Sequence, residues 1–433
     1  MTPAARLAAA IDVFAAIEQE RRPAGDALKA WGLTHRYAGS GDRAAIAGLL
    51  YDALRRRASS AFVMGEETPR GIVLGMLRRE RGLDSEAIAR LADGSKYAPQ
   101  ALSSNERARL EAADISNAPA HVAGDYPEWL DPHLARVFGE ARVEEGAALA
   151  SRAPLDLRTN TLKAERDAAV GMLADLHPEP TRWSPWGLRV RLPADAKSPA
   201  IHAEPAFLKG LVEIQDEGSQ LAALLSAARP GEQVMDLCAG AGGKTLAMAA
   251  MMQNKGQIFA TDDDKRRLAP IHERLKRSGA RNVQVRTPKS IGDEISDLAG
   301  RMDLVIIDAP CTGIGAWRRN PDAKWRIRPG ALEQRQKEQA EVLDHAVPLV
   351  KAGGRIAYIT CSVLDEENGA QTKSFLARHP EFGVQPPTEV IKSLGERAFM
   401  FGKAARLSDL GILMTPRSTD TDGFYISIVL RSG

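Results

Sequence analysis

The chain has 433 residues, 44% hydrophobic and 5% aromatic, with 58 Lys and Arg against 56 Asp and Glu. At roughly 100–200 residues per domain this length implies two to four domains with room for sizeable cores. A net charge of +2 excludes a polycationic nucleic-acid coat but leaves a local basic groove open, because a net value averages over all faces. No window approaches the ~18 uninterrupted apolar residues of a membrane span. The three cysteines form no paired framework, which points to a reducing compartment and a cytoplasmic protein.

The first stretch, MTPAARLAAAIDVFAAIEQERR, sets a basic residue before an apolar run. Asp12, Glu18 and Glu20 interrupt that run at helical spacing, so it reads as an amphipathic helix and not as a signal peptide. Residues 1–115 are expected to be all-helical, since Ala, Leu and Arg dominate and apolar residues recur at spacings of three and four. In GDRAAIAGLLYDALRRR, Asp42 is the expected helix cap, with Ile46, Leu49, Leu50 and Leu54 along one side. Ser116, Asn117, Pro119, Gly124 and Pro127 mark the segment 115–127 as a linker.

Residues 128–230 read as a small α+β module. PLDLRTNTLK alternates like a strand, AERDAAVGMLADL follows like a helix, and LRVRLP alternates again. Trp183 and Trp186 flank Pro185 and suggest a turn with a packed aromatic pair. From 231 to 433, short apolar runs alternate with helical stretches: 234–238, 258–262, 282–286, 303–308, 354–360 and 424–430. Such alternation predicts an α/β domain with a mostly parallel, doubly wound sheet, the last run entering antiparallel at its edge.

Open α/β sheets bind ligands at the carboxyl ends of their strands. After the first strand comes Cys238-Ala239-Gly240-Ala241-Gly242-Gly243-Lys244-Thr245. Its glycines let backbone amides approach a ligand, and the helix that follows favours an anionic group. A phosphate-binding P-loop requires Gly where Cys238 stands, and a dinucleotide fingerprint requires Gly where Thr245 stands. The remaining common user of such a turn is an S-adenosylmethionine site, and Asp262 at the end of the second strand is placed to accept ribose hydroxyls. A plain tight strand–helix turn is the alternative.

All three cysteines fall at expected strand ends. Asp308 and Cys311 share one, and Cys361 closes the next. A buried cysteine is ordinarily a small hydrophobe, and a metal site would need ligands not found at suitable spacing, so none is expected. Between these strands, WRRNPDAKWRIRPG carries Arg318, Arg319, Lys324, Arg326 and Arg328 against the single acid Asp322, with Trp317 and Trp325 interleaved. Bases stack on aromatic faces while cations track phosphates, so this reads as a nucleic-acid contact loop. The other reading is a solvated basic loop with buried tryptophans.

Taken together, MDLCAGAGGKT, DAPCTGIG with RRNPDAKW, and ITCSVLDEEN resemble the Sun-type RNA (cytosine-5) methyltransferases, over residues 128–433. DRAAIAGLLYDALRRR resembles the NusB-type RNA-binding domain that precedes the catalytic core in the bacterial small-subunit ribosomal RNA branch. The resemblance implies a Rossmann-like class I methyltransferase domain, preceded by an RNA-binding α+β module and the helical domain. It also implies S-adenosylmethionine as cofactor and small-subunit ribosomal RNA as partner. Cys361 then corresponds to the nucleophile that attacks carbon 6 of a cytosine, which makes carbon 5 enamine-like. A thiolate-stabilising surrounding is expected there. Cys311 corresponds to the residue that helps remove the carbon-5 proton and release the enzyme, and Asp308 sits against the ring and near the cofactor amino group. The base must leave its stack to reach them.

Cofactor binding carries over to Cys238 through Lys244, to Asp262, to Arg267 and to Asp308. The family's opening RNA-binding strand matches PLDLRTNTLK, with Arg158, while Gln215 and Ser219 have an ordinary reading as helix-capping residues. Two positions depart from the family pattern: Ala241 replaces the usual Pro, and Lys289 stands where an Asp usually lies near the adenine, with Asp293 beyond it. The second departure leaves a competing reading, an RNA-binding assembly factor with lost cofactor affinity. A monomer is the expected state.

Overall fold

The computed structural model describes residues 1–191, 199–287 and 295–433. Lys289 and Asp293, on which the adenine-site question turns, lie outside the described residues. The described chain divides into two units. One holds Met1–Arg152 together with Trp317–Ile327, and the other holds the rest. No helix is long and apolar enough to cross a membrane among the described residues.

The first unit is helical. Pro3–Glu20 begins with Thr2 accepting the Ala5 amide and Pro at the first helical position, where its missing N–H is not needed. Ser40–Arg55 buries Ile46, Leu50 and Leu54, as the spacing predicts. Asp42 is not its cap: Gly39 occupies that position, and the Asp42 carboxylate accepts the Gly39 amide, the Arg6 guanidinium and the N-terminal ammonium.

The expected linker is packed. Asp125 is buried and accepts both the amide and the hydroxyl of Ser59, and the Tyr126 ring is buried with its hydroxyl donating to Asp131. The helices Asp131–Phe138 and Arg142–Leu149 continue the unit to Arg152. Composition flagged a loop here, but its buried acid has a partner and so can sit inside.

The second unit opens with a four-stranded antiparallel sheet. Its strands are β1 (Leu155–Thr159), β2 (Glu179–Pro180), β3 (Gly187–Val190) and β4 (Val212–Ile214), in the order β2-β3-β1-β4. The helix Arg166–Met172 follows β1. Trp183 does not pair with Trp186; it packs edge-on against Phe401, ring centroids 5.4 Å apart, and donates its indole N–H to the Thr419 carbonyl.

Nine strands form the larger sheet. The parallel part comprises β5 (Gln233–Asp236), β6 (Gln257–Ala260), β7 (Val283–Val285), β8 (Met302–Asp308) and the start-to-end run of β9 (Val350–Thr360). These pair in the order β9-β8-β5-β6-β7, so the chain reverses direction across the sheet at β5 and β8. The antiparallel part is β10 (Phe382–Val384), β11 (Arg406–Leu407), β12 (Ile412–Met414) and β13 (Phe424–Arg431). As expected, β13 runs antiparallel, but it is not an edge strand: it pairs with β9 on one side and with β10 and β12 on the other. Two short strands that sequence did not show as alternating runs cover it.

The core of this sheet gathers Val234, Ile258, Leu304, Ile306, Ala357 and Ile359 with Leu221, Met248 and Met252 from the flanking helices. Near-continuous burial along β8 and the end of β9 is what a sheet covered on both faces requires.

Candidate active site

The site lies at the carboxyl ends of β5, β6, β8 and β9. After β5, the chain turns through Cys238–Gly242 into the helix Gly243–Met251. Gly242 has φ 84° and an added Cβ would come within 2.6 Å of the Ile271 side chain, so conformation and space both require glycine. The turn is held from two directions. Asp262, buried at the end of β6, accepts the Gly240 amide at 2.9 Å, and Arg274 donates to the Ala241 carbonyl at 2.8 Å. Arg274 and Arg277 in turn pair with the buried Glu213 of β4.

Between this turn and β4 lies a cavity of about 550 Å³, lined by Gln215, Asp216 and Ser219, by Cys238–Ala241, Gly243 and Lys244, and by Arg267, Arg274 and Asp308. That volume falls within the ~300–1,000 Å³ of small-molecule sites. The carboxylates around it shape its chemistry. Burial pushes the Asp236 carboxyl up to about 7, against the hydrogen bond from Thr245 (2.6 Å) and with help from the charges of Asp308 and Asp262. Burial and the same carboxylates push the Cys238 thiol well above its ordinary value, so Cys238 is a neutral structural thiol. The lining carries charges of both signs, Asp216, Asp236 and Asp308 with Lys244, Arg267 and Arg274, so the cavity suits a polar ligand that bears both signs of charge. Arg267 lies 3.6 Å from Asp262 at the rim.

Lys244 reaches out of the turn to Asp308 at the end of β8, Nζ to Oδ2 2.5 Å, with Lys244 nearly buried and Asp308 about a third exposed. The pair therefore joins the cavity to the neighbouring strand end. There Cys311 and Cys361 meet, their sulfurs 3.3 Å apart. Register accounts for the meeting: β8 and β9 pair in parallel with Asp308 opposite Ile359, and each chain breaks away from the sheet just beyond. The Ala309 amide still donates to Ile359, and the Gly315 amide donates to the Cys361 carbonyl at 2.9 Å. The hydrogen bond to Cys361, then burial, then the charge of the Cys361 sulfur, push the Cys311 thiol well up. Cys311 is thus a thiol in the resting site, able to donate to the Cys361 sulfur.

Sequence reasoning missed the residues behind these two loops. Glu367, fully buried, accepts the Thr312 amide at 2.8 Å and the Thr312 hydroxyl at 2.5 Å. Gln339 donates to Glu367 at 3.1 Å and to the Pro310 carbonyl at 2.9 Å. In the sequence Glu367 ends the acidic run Asp365-Glu366-Glu367, which reads as a solvated face.

Other expected site residues are elsewhere. Arg158 is buried, with Nε donating to Gln215 at 2.7 Å, and burial pushes its guanidinium down to about 10. It supports the cavity wall from behind and does not present itself to RNA. The Trp317–Ile327 segment belongs to the helical unit. Trp317, Arg318 and Lys324 are buried there; Lys324 donates to the Arg55 carbonyl at 2.9 Å, and the Trp325 indole donates to the Leu54 carbonyl at 2.6 Å. Arg55 donates back to the Arg318 carbonyl, and Asp322 accepts the Ala24 amide. Arg319 is partly exposed. The open basic loop expected from composition is therefore in part a packed strap: Lys324 finds a carbonyl and the indoles find a core, while Arg326 pairs with Asp322 and, with Arg328, stays exposed.

Comparison with known proteins follows the same residues. The family described as 16S rRNA methyltransferase RsmB/F matches residues 223–430. A Salmonella arizonae protein named ribosomal RNA small subunit methyltransferase B is 35% identical over 264 residues, covering 59% of this chain and 58% of that protein. A Synechocystis protein named probable ribosomal RNA small subunit methyltransferase B is 29% identical over 352 residues, covering 80% of this chain and 76% of that one. The alignment thus spans little more than half the length of the Salmonella relative. The solved structure of a methyltransferase homolog protein from Pyrococcus horikoshii superposes with a TM-score of 0.57 at 27% identity, over 72% of this chain and 97% of its own.

Proposed function

We propose that the chain is an RNA (cytosine-5) methyltransferase acting on small-subunit ribosomal RNA, a reading supported by the match of residues 223–430 to the RsmB/F methyltransferase family. The observation that carries this reading is the pair of sulfurs 3.3 Å apart, at the strand ends next to the cavity that Asp308 lines. The residues of that cavity fit S-adenosylmethionine: Gly240 to Lys244 would cradle it, Asp262, which holds the Gly240 amide from behind, would accept its ribose hydroxyls, and Asp308 would offset its positive charge. When bound, the cofactor supplies the electrophilic methyl group.

The chain's own residues do the rest. Cys361 attacks carbon 6 of a cytosine, its sulfur electron pair forming the C–S bond while ring electrons move toward carbon 5. Asp308, held by Lys244, lies where a carboxyl can hydrogen-bond the ring edge of the adduct. Forming the C–S bond removes the negative charge from the Cys361 sulfur, and with it two of the causes that hold the proton on Cys311. Cys311 then loses its proton to solvent and, as a thiolate, takes the carbon-5 proton of the methylated adduct. The electrons of that C–H bond restore the ring double bond, and the C–S bond breaks to return Cys361 as thiolate. The order of events makes Cys361 indispensable for attack and Cys311 for release.

The reading includes a cytoplasmic monomer with RNA as its partner. It is tested with the full chain, S-adenosylmethionine and small-subunit ribosomal RNA. Cys311→Ala accumulates a protein–RNA adduct that survives denaturation, and the double variant with Cys361→Ala forms none. Methyl transfer by Cys361→Ala at the wild-type rate overturns the mechanism.

A further inference from the structure

Glu367 occupies an unusual place. Its buried carboxylate bonds Thr312, the residue that follows Cys311, through both amide and hydroxyl. Gln339 completes the arrangement by bridging from Glu367 to the Pro310 carbonyl, so the backbone is held on both sides of Cys311. Tyr358 donates to the Glu367 carbonyl at 2.6 Å and fixes the acid's own backbone. A buried carboxylate is costly unless its hydrogen bonds are made, and here they go to the loop that carries Cys311 and to Gln339, which itself bonds that loop.

The two cysteines do not depend on this carboxylate equally. Cys361 follows directly on β9, where the sheet register, the Gly315 amide and the Thr360–Asn368 bond (2.5 Å) locate it. Cys311 stands three residues past the end of β8 on a non-helical, non-strand loop, and its flanking residues Thr312 and Pro310 are bonded by Glu367 and Gln339. Removing the carboxylate therefore releases the Cys311 side first.

We infer that Glu367, relayed by Gln339, is the positioning residue of the release half-reaction: it keeps the Cys311 sulfur at the distance from Cys361 needed to take the carbon-5 proton. The inference rests on the cysteine chemistry proposed above. It assigns Glu367 no contact with substrate, since its carboxylate is taken up by Thr312 and Gln339. Glu367→Gln keeps an acceptor for the Thr312 amide and a donor for its hydroxyl, whereas Glu367→Ala keeps neither.

The test uses the full chain with small-subunit ribosomal RNA and S-adenosylmethionine, and reads the fraction of protein trapped in a denaturation-stable RNA adduct beside the multiple-turnover rate. Loss of hydrogen bonds to a charged group predicts a roughly ten- to hundredfold slower release for Glu367→Ala, with the adduct accumulating and cofactor affinity within about twofold of wild type. Glu367→Gln restores turnover. Thr312→Val, which cuts one arm only, gives an intermediate stall and decides the matter should Glu367→Ala not fold. Wild-type turnover in Thr312→Val, or loss of turnover in Glu367→Ala without adduct, overturns the inference. Cys311→Ala run in parallel separates the two levels: no adduct there overturns the cysteine chemistry, whereas a stalled Cys311→Ala beside a freely turning Glu367→Ala overturns only the positioning role.

Discussion

The sulfurs of Cys311 and Cys361, fifty residues apart in sequence, stand 3.3 Å from each other at the ends of adjacent parallel strands. In the proposed mechanism these two cysteines, in hydrogen-bond contact, divide the work of attack and release, and the surrounding groups can be tested one by one.

Lys244 and Asp308 form an ion pair whose lysine is nearly buried. Asp308→Asn leaves that ammonium without its counter-charge, and breaking a buried pair costs up to about 3 kcal/mol, discounted here because Asp308 is partly exposed. The variant melts lower and loses methyl transfer. Lys244→Met added to it recovers much of the stability and none of the activity, measured by thermal melts and turnover on the same samples. Equal melting of the single and double variants contradicts the pairing.

Asp262 holds the cofactor turn by accepting the Gly240 amide. Its replacement by Ala frees that amide and loosens the turn that lines the cavity. With the ribose acceptor of the proposed site lost as well, S-adenosylmethionine binding weakens roughly ten- to a thousandfold in calorimetric titration. Unchanged affinity places the ligand elsewhere.

Asp236 makes stability depend on pH. Burial raises its carboxyl from 3.8 to about 7 in the folded protein. Between those values the unfolded chain has released this proton while the folded chain keeps it, so the contribution of this group to stability falls as pH rises through the window. Asp236→Asn, which still accepts the Thr245 hydroxyl, removes the dependence. Melting temperatures from pH 4 to 8 therefore show the variant gaining on the wild type up to about pH 7 and then level. A constant difference across the range contradicts a proton held by Asp236.

Lys324 tests the reading of the strap. Burial, set against the charge of Asp125, pushes its ammonium down to about 7, and it donates to the Arg55 carbonyl inside the helical unit. Lys324→Met preserves volume and removes the cost of burying a charge. RNA affinity and its salt dependence are expected to stay as they are, whereas loss of a phosphate contact would reduce the salt slope by about one.

The chemistry was more legible in the sequence than its support. Gly242, Asp262, Asp308 and the two cysteines stand out because strand ends in an α/β sheet are where ligands bind, and residue type there has few alternatives. Composition misled at Trp317–Lys324, since a run of cations and indoles reads the same whether it is solvated or packed against carbonyls such as those of Leu54 and Arg55. Resemblance misled at Arg158, buried behind Gln215, and composition at the expected linker 115–127, where Asp125 is buried with its partner Ser59 far away in the chain. Glu367 was invisible for the same reason: what makes it unlike Glu366 is that it points at Thr312, and only tertiary structure shows that. The inner placement of β13 depended on β12, three residues long, too short for periodicity to register.

The most direct measurement supplies labelled methyl donor and small-subunit ribosomal RNA from cells lacking this protein, then identifies the labelled nucleoside with wild type and with Cys361→Ala. The account predicts 5-methylcytidine with the wild type and no label with the variant. Label in any other nucleoside, or 5-methylcytidine formed equally by Cys361→Ala, contradicts it.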